Sequence, residues 1–82
     1  MIFLIEYNRP EGRIVKFERF ENSERLAAED LRLRIELDLR RRSVNHEVVL
    51  LDAASEDALR RTHRHYFEDV SQIGRSINDH AA

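Results

Sequence analysis

The sequence that decides the fold is Leu-Arg-Leu-Arg-Ile-Glu-Leu-Asp-Leu, residues 31–39. Its apolar residues alternate with charged ones, a period of two that is typical of a strand. Residues 24–42 around it are instead rich in Leu, Ala, Glu and Arg, which favour helices, and Ile35 is their single β-branched residue. Oppositely charged residues such as Asp30 and Arg34 recur four positions apart, which stabilises a helix, whereas a strand over residues 29–42 would be unusually long. We therefore predict a helix, with the strand as the alternative.

As a helix, this stretch carries two apolar stripes on nearly opposite sides. One consists of Leu26, Leu33 and Leu37, and the other of Ala28, Leu31, Ile35 and Leu39. A helix that packs only on a sheet needs one apolar stripe, so the second stripe requires another cover. A second helix, the end of the chain or another subunit would provide it. We expect a homodimer, with Leu31, Ile35 and Leu39 as the candidate interface and the stripe of Leu26, Leu33 and Leu37 as the alternative.

The segments on either side predict strands and a second helix. Residues 1–7 and 13–20 form two strands, joined by a turn at residues 8–12 that contains Pro10 and Gly12. Residues 46–51 form a third strand, and Ser55 begins a helix that runs to about Asp69. The predicted class is α+β, with element order ββαβα. We expect a mainly antiparallel three-stranded sheet of strand order 2-1-3, with both helices on one face.

Length and composition limit the protein to one small domain. The chain has 82 residues, of which 41% are hydrophobic and 37% charged, and its net charge is −2. We expect residues 1–70 to form the domain and residues 71–82 a weakly structured tail. A fourth strand over residues 70–77, across this boundary, is the alternative.

The composition also excludes several function classes. The absence of cysteine excludes disulfides, thiolate metal sites and cysteine nucleophiles. The apolar run of residues 1–5 is far shorter than the roughly 18 residues of a membrane helix, and it lacks the basic region and the cleavage site of a signal peptide. We therefore expect a cytoplasmic protein that makes no membrane contact.

The polar residues of the second helix are the candidates for chemistry. His63, Tyr66 and Arg60 form the candidate polar cluster of a small ligand-binding protein or enzyme. His63 and His65 are two residues apart and face different ways on a helix, so we predict no metal site, and no motif indicates a cofactor. His63 on the apolar side is more typical of a buried, hydrogen-bonded histidine, and the sequence therefore favours a non-enzymatic role.

Two arginine clusters suggest nucleic-acid binding as a further alternative. The candidate basic patch consists of Arg40, Arg41, Arg42, Arg61 and Arg64. Carboxylates four residues away favour solvated, paired helix faces instead, and the net charge argues against a domain-wide nucleic-acid surface.

Two stretches resemble known proteins. Residues 48–60, Val-Val-Leu-Leu-Asp-Ala-Ala-Ser-Glu-Asp-Ala-Leu-Arg, resemble the strand–helix junction of small ferredoxin-like α+β proteins. Residues 58–67, Ala-Leu-Arg-Arg-Thr-His-Arg-His-Tyr-Phe, are similar to a run in short uncharacterised bacterial α+β proteins of unknown function. The resemblance assigns no site residues. A homodimeric protein-interaction module is therefore the leading functional hypothesis.

Overall fold

The computed structural model describes residues 1–68, which form three strands and three helices. In chain order these are β1 (Ile2–Asn8), β2 (Arg13–Phe20), α1 (Arg25–Arg41), β3 (His46–Asp52), α2 (Glu56–Thr62) and α3 (Arg64–Phe67), with a 3-10 turn at Asn22–Glu24 before α1. The predicted α+β class is confirmed. The predicted tail over residues 71–82 and the fourth strand over residues 70–77 lie outside the described residues.

β1 is the central strand of an antiparallel sheet with the order β2-β1-β3. This is the predicted strand order. Leu4 lies opposite Glu18 of β2 and Leu50 of β3. Four consecutive apolar residues, Ile2 to Ile5, have no exposed surface, because both edges of β1 are paired and both of its faces are covered. The central position therefore follows from an apolar run on both faces.

The helices lie on opposite faces of the sheet, so the expectation of both helices on one face is wrong. Phe3 and Ile5 form a core cluster with Leu59 of α2 and Tyr66 of α3. The other face of β1, with Ile2 and Leu4, is covered by α1, which packs against β3 and β1. Successive strand residues point to opposite faces, and both sets of β1 residues are apolar. Each face therefore needs its own helix, and the chain itself supplies both.

Residues 25–41 form a helix, as predicted, and not the strand that their alternating pattern suggested as the alternative. The backbone N–H of Glu21 donates to the carboxylate of Glu24 at 2.8 Å in a capping box that precedes the helix. Pairs spaced four residues apart form as expected, for example Arg34–Asp30 at 2.9 Å. The strict alternation of residues 31–39 thus places leucines on both sides of one helix.

The predicted second helix is divided in two at His63. Ser55 caps α2 as predicted, since its hydroxyl accepts from the N–H of Ala58 at 3.1 Å. The helix stops after Thr62, whose hydroxyl donates to the carbonyl of Ala58 at 3.0 Å, and His63 leaves the helical conformation. Such side-chain bonds to the preceding turn weaken and bend helices. Within residues 1–68, no helix is long and apolar enough to cross a membrane.

Candidate functional site

The outer stripe of α1, formed by Leu26, Leu33 and Leu37, is the main exposed apolar feature of the described residues. These side chains are 82%, 52% and 53% exposed. Ala28 and Leu39, in the opposite stripe, are buried, and the stripe that contains them faces the sheet. Sequence reasoning identified both stripes, and the structure shows which of them the chain leaves uncovered.

The stripe of α1 that faces the sheet, here called the inner stripe, contains the predicted interface residues Leu31, Ile35 and Leu39. Leu39 is 4% exposed and lies beside β3, while Leu31 and Ile35 are half-buried. Within a single chain their surface is therefore partly used to cover the sheet.

Charged residues flank the outer stripe in an ordered way. Glu29 and Asp30 lie between Leu26 and Leu33, and Arg40 and Arg41 lie one turn beyond Leu37. Asp30 pairs with Arg34 and Arg41 with Asp38. Within residues 1–68, Glu29 and Arg40 take part in no ion pair. Among residues 1–68, the face thus carries one unpaired charge of each sign, on either side of Leu33 and Leu37.

A pocket of about 430 Å³ lies between the C-terminal half of α1 and β3. We call it the α1–β3 pocket. It is lined by the apolar side chains Leu39, Val44 and Val48 and by the polar side chains Glu36, Arg40 and His46. Sequence reasoning did not find this pocket, because its walls come from two elements whose packing had to be known first.

His46, in one wall of the pocket, is paired with the carboxylate of Glu6, which is not itself a lining residue. Nδ1 of His46 lies 2.6 Å from Oε2 of Glu6, and both side chains are nearly buried. The two residues approach each other because Glu6 of β1 is opposite Val48, two positions along β3 from His46. The signal in the sequence was an acidic residue in an otherwise apolar strand, and its partner required the register of the sheet. Glu6 fixes the orientation of the imidazole ring and leaves its other nitrogen, Nε2, for a further hydrogen bond.

A second polar group, the Tyr66 cluster, lies on the opposite face of the sheet. The hydroxyl of the buried Tyr66 donates to Glu47 of β3, which also binds Arg9 at 2.6 Å. Burial, together with the hydrogen bond to the Glu47 carboxylate, raises the pKa of Tyr66 to about 12. The Tyr66 hydroxyl and the Arg9 guanidinium hold the pKa of Glu47 below its ordinary value. At neutral pH this cluster is therefore a fixed acceptor–donor pair, which is typical of a structural role.

The predicted polar cluster is only partly assembled. The rings of His63 and Tyr66 stack with centroids 6.4 Å apart, and His65 lies closer, at 4.0 Å. Arg60 instead pairs with Glu56 at 3.1 Å and places its guanidinium 4.4 Å above the ring of Phe67. The charged side chains near Tyr66 are therefore Glu47 and Arg9, and not the predicted Arg60. Within residues 1–68, no group of three potential ligands is arranged for a metal ion.

The residues of the candidate basic patch do not form one surface. Arg40, Arg41 and Arg42 lie at the end of α1, whereas Arg61 and Arg64 lie on α2 and α3 across the sheet. Arg41 and Arg42 both pair with Asp38, and Arg64 pairs with Glu68 at 3.6 Å. The clusters are therefore separate, and three of the five arginines are paired, with two carboxylates between them.

Comparison with known protein families, with curated proteins and with solved structures finds no match for this chain. The resemblance of residues 58–67 to short bacterial proteins stays a prediction. The features that bear on function are the exposed face of α1 and the α1–β3 pocket.

Proposed function

We propose that the protein is a cytoplasmic homodimeric interaction module, and that its two copies associate through the outer stripe of α1. The observation that carries this proposal is the exposure of Leu26, Leu33 and Leu37 on a helix whose other side already covers the sheet. Exposed apolar side chains grouped on one face of a small domain are typical of an association surface. Association also adds core to a domain that is too small to bury much surface by itself.

The charges beside the stripe favour a second copy of this chain as the occupant. Glu29 and Arg40 are about 16 Å apart along the helix axis and lie on the same side of it, because eleven residues make almost three turns. In an antiparallel pair of α1 helices with the two-fold axis near Ile35, Leu33 lies opposite the partner's Leu37. The same register brings Glu29 to the partner's Arg40 on one flank and Asp30 to the partner's Arg41 on the other. A two-fold interface must be self-complementary, and this face has that property.

The exposed leucines limit how tight such a dimer can be. In this register Leu33 and Leu37 of both copies are covered, and these four half-exposed leucines contribute on the order of 3–6 kcal/mol. Association costs about 4–15 kcal/mol, so the dimer also depends on the ion pairs that flank these leucines. We therefore expect a dissociation constant no tighter than the micromolar range.

Analytical ultracentrifugation across about 10 µM to 1 mM tests the proposal. The wild type is expected to approach twice the 9.8 kDa chain mass as concentration rises. The Leu33→Asp variant is expected to remain monomeric and folded, because its site is exposed. Val15→Asp, at an apolar residue of β2 that is 45% exposed, is the matched control and should dimerise as the wild type does.

Charge reversal tests the register separately. Glu29→Arg and Arg40→Glu should each weaken the dimer, since each places like charges opposite one another. The double variant Glu29→Arg/Arg40→Glu should restore it. A wild type that stays monomeric at 1 mM contradicts the dimer, and a double variant no better than the singles contradicts the antiparallel arrangement.

A further inference from the structure

We propose that the α1–β3 pocket binds a small organic carboxylate that carries a compact apolar group. The site is separate from the leucines of the outer stripe and does not require the homodimer, although Arg40 also borders the proposed dimer interface. It follows from the charges, the hydrogen-bonding groups and the apolar surface that the pocket presents.

The pocket presents one carboxylate and one guanidinium. The carboxylate, that of Glu36, lies 3.9 Å from Arg32 of the same helix. Arg40, the one cationic side chain among the lining residues, has no ion-pair partner within residues 1–68. The planar guanidinium of arginine matches a carboxylate through two parallel hydrogen bonds. Arg40 is therefore suited to hold the anionic group of a ligand.

His46 supplies a second polar contact with a fixed orientation. Its Nδ1 is engaged by Glu6 at 2.6 Å, so the ring is held and Nε2 is left for a hydrogen bond to the ligand. A nearly buried imidazole fixed by a carboxylate at the wall of a pocket is an orienting group, as in sites where a few polar side chains determine the pose.

The remaining walls fit the apolar part of the ligand. Leu39, Val44 and Val48 line the pocket, and Leu39 is 4% exposed. The volume of about 430 Å³ lies at the lower end of the range for small-molecule sites. A ligand of the size of benzoate places its ring against these side chains and its carboxylate at Arg40.

Benzoate is the probe for this site, and benzamide is its neutral control of the same shape. Both are titrated to about 50 mM in ¹H–¹⁵N spectra of the wild type and of the Leu33→Asp variant. Saturable shifts are expected for the amides of Val44, His46 and Val48, with benzoate at least tenfold tighter than benzamide. Because the pocket lies within one chain, binding is expected in both proteins, and it should be at least as tight in Leu33→Asp, where no partner Glu29 competes for Arg40. The titration of Leu33→Asp therefore tests the pocket even if the dimer proposal fails.

Arg40→Gln should weaken benzoate binding at least tenfold, whereas Arg41→Gln, which changes a neighbouring arginine outside the pocket, should leave it unchanged. Far-UV circular dichroism checks that both variants stay helical. If benzoate causes no saturable shift, if benzamide binds equally well, or if the two arginine variants behave alike, the site does not exist as proposed.

Discussion

The hydrogen bond from Tyr66 to Glu47 predicts a specific loss of stability at alkaline pH. The pKa of Tyr66 is raised from its ordinary value of 10 to about 12. A group whose pKa is higher in the folded state contributes stability that is complete below pH 10. That contribution falls as the pH rises towards 12, because the unfolded chain loses the proton first. Two pKa units correspond to about 3 kcal/mol.

This amount is a large fraction of the total stability. A domain of this length is expected to unfold with about 4–12 kcal/mol. Tyr66→Phe removes the hydroxyl and leaves Glu47 with Arg9 as its remaining side-chain partner. At pH 7 the variant should be less stable by about 1.5–3 kcal/mol, the range for hydrogen bonds to charged groups. Above pH 10 the two proteins should converge, because the variant has no proton to lose at this site.

Urea unfolding of the wild type and of Tyr66→Phe, at a series of pH values from 7 to about 11.5, measures this difference. Tyr7→Phe leaves Tyr66 as the sole tyrosine of the chain, so the tyrosinate absorbance of that variant reports the Tyr66 pKa directly. A stability difference between wild type and Tyr66→Phe that stays constant through pH 9–11.5 would refute the reasoning, as would ionisation of Tyr66 at its ordinary pKa.

Two further outcomes follow from the same structure. Leu39→Ala should lower the free energy of unfolding by about 2–5 kcal/mol in urea titrations. Leu37→Ala, on the exposed side of the same helix, should change it by about 0.5 kcal/mol or less. Equal losses in the two variants would show that the inner stripe is not the packed one. Glu47→Gln should be less stable than the wild type at neutral pH. Because the pKa of Glu47 is lowered in the folded state, the wild type should lose this advantage as the pH falls through that pKa, and a difference that persists at low pH would contradict the prediction.

The helix in residues 25–41 was predictable because composition and charge spacing outweighed a conflicting period. Alternation alone indicated a strand, but helix-forming residues and pairs such as Asp30–Arg34 favoured the observed state. The strand order was predictable for a related reason. The apolar run of Ile2 to Ile5 required cover on both faces, which suits a central strand.

The placement of the helices was harder to predict, since local patterns do not say which face a helix covers. From the sequence we expect both helices on one face of the sheet, whereas α1 and the pair α2–α3 divide the two faces between them. The break at His63 depended on a bond between the side chain of Thr62 and the preceding turn, which periodicity does not indicate.

The candidate site was likewise predictable where it depends on local geometry and not where it depends on tertiary packing. Leu26, Leu33 and Leu37 were identified as a stripe from spacing alone, because helical geometry fixes which residues share a side. The pairs Glu6–His46 and Glu47–Tyr66 join residues 40 and 19 positions apart. Their identification required the register of β1 against β3 and the position of α3, which are tertiary properties.

The burial of β1 on both faces, together with its pairing on both edges, has a consequence for hydrogen exchange. Its backbone is paired with β2 on one edge and with β3 on the other, and Ile2 to Ile5 have no exposed surface. Solvent therefore reaches the amides of this segment only when the sheet itself separates. Exchange at Phe3, Leu4 and Ile5 should report global unfolding, whereas amides of the short α3 should exchange through local opening. A deuterium label retained in β1 would then mark the molecules that have never unfolded.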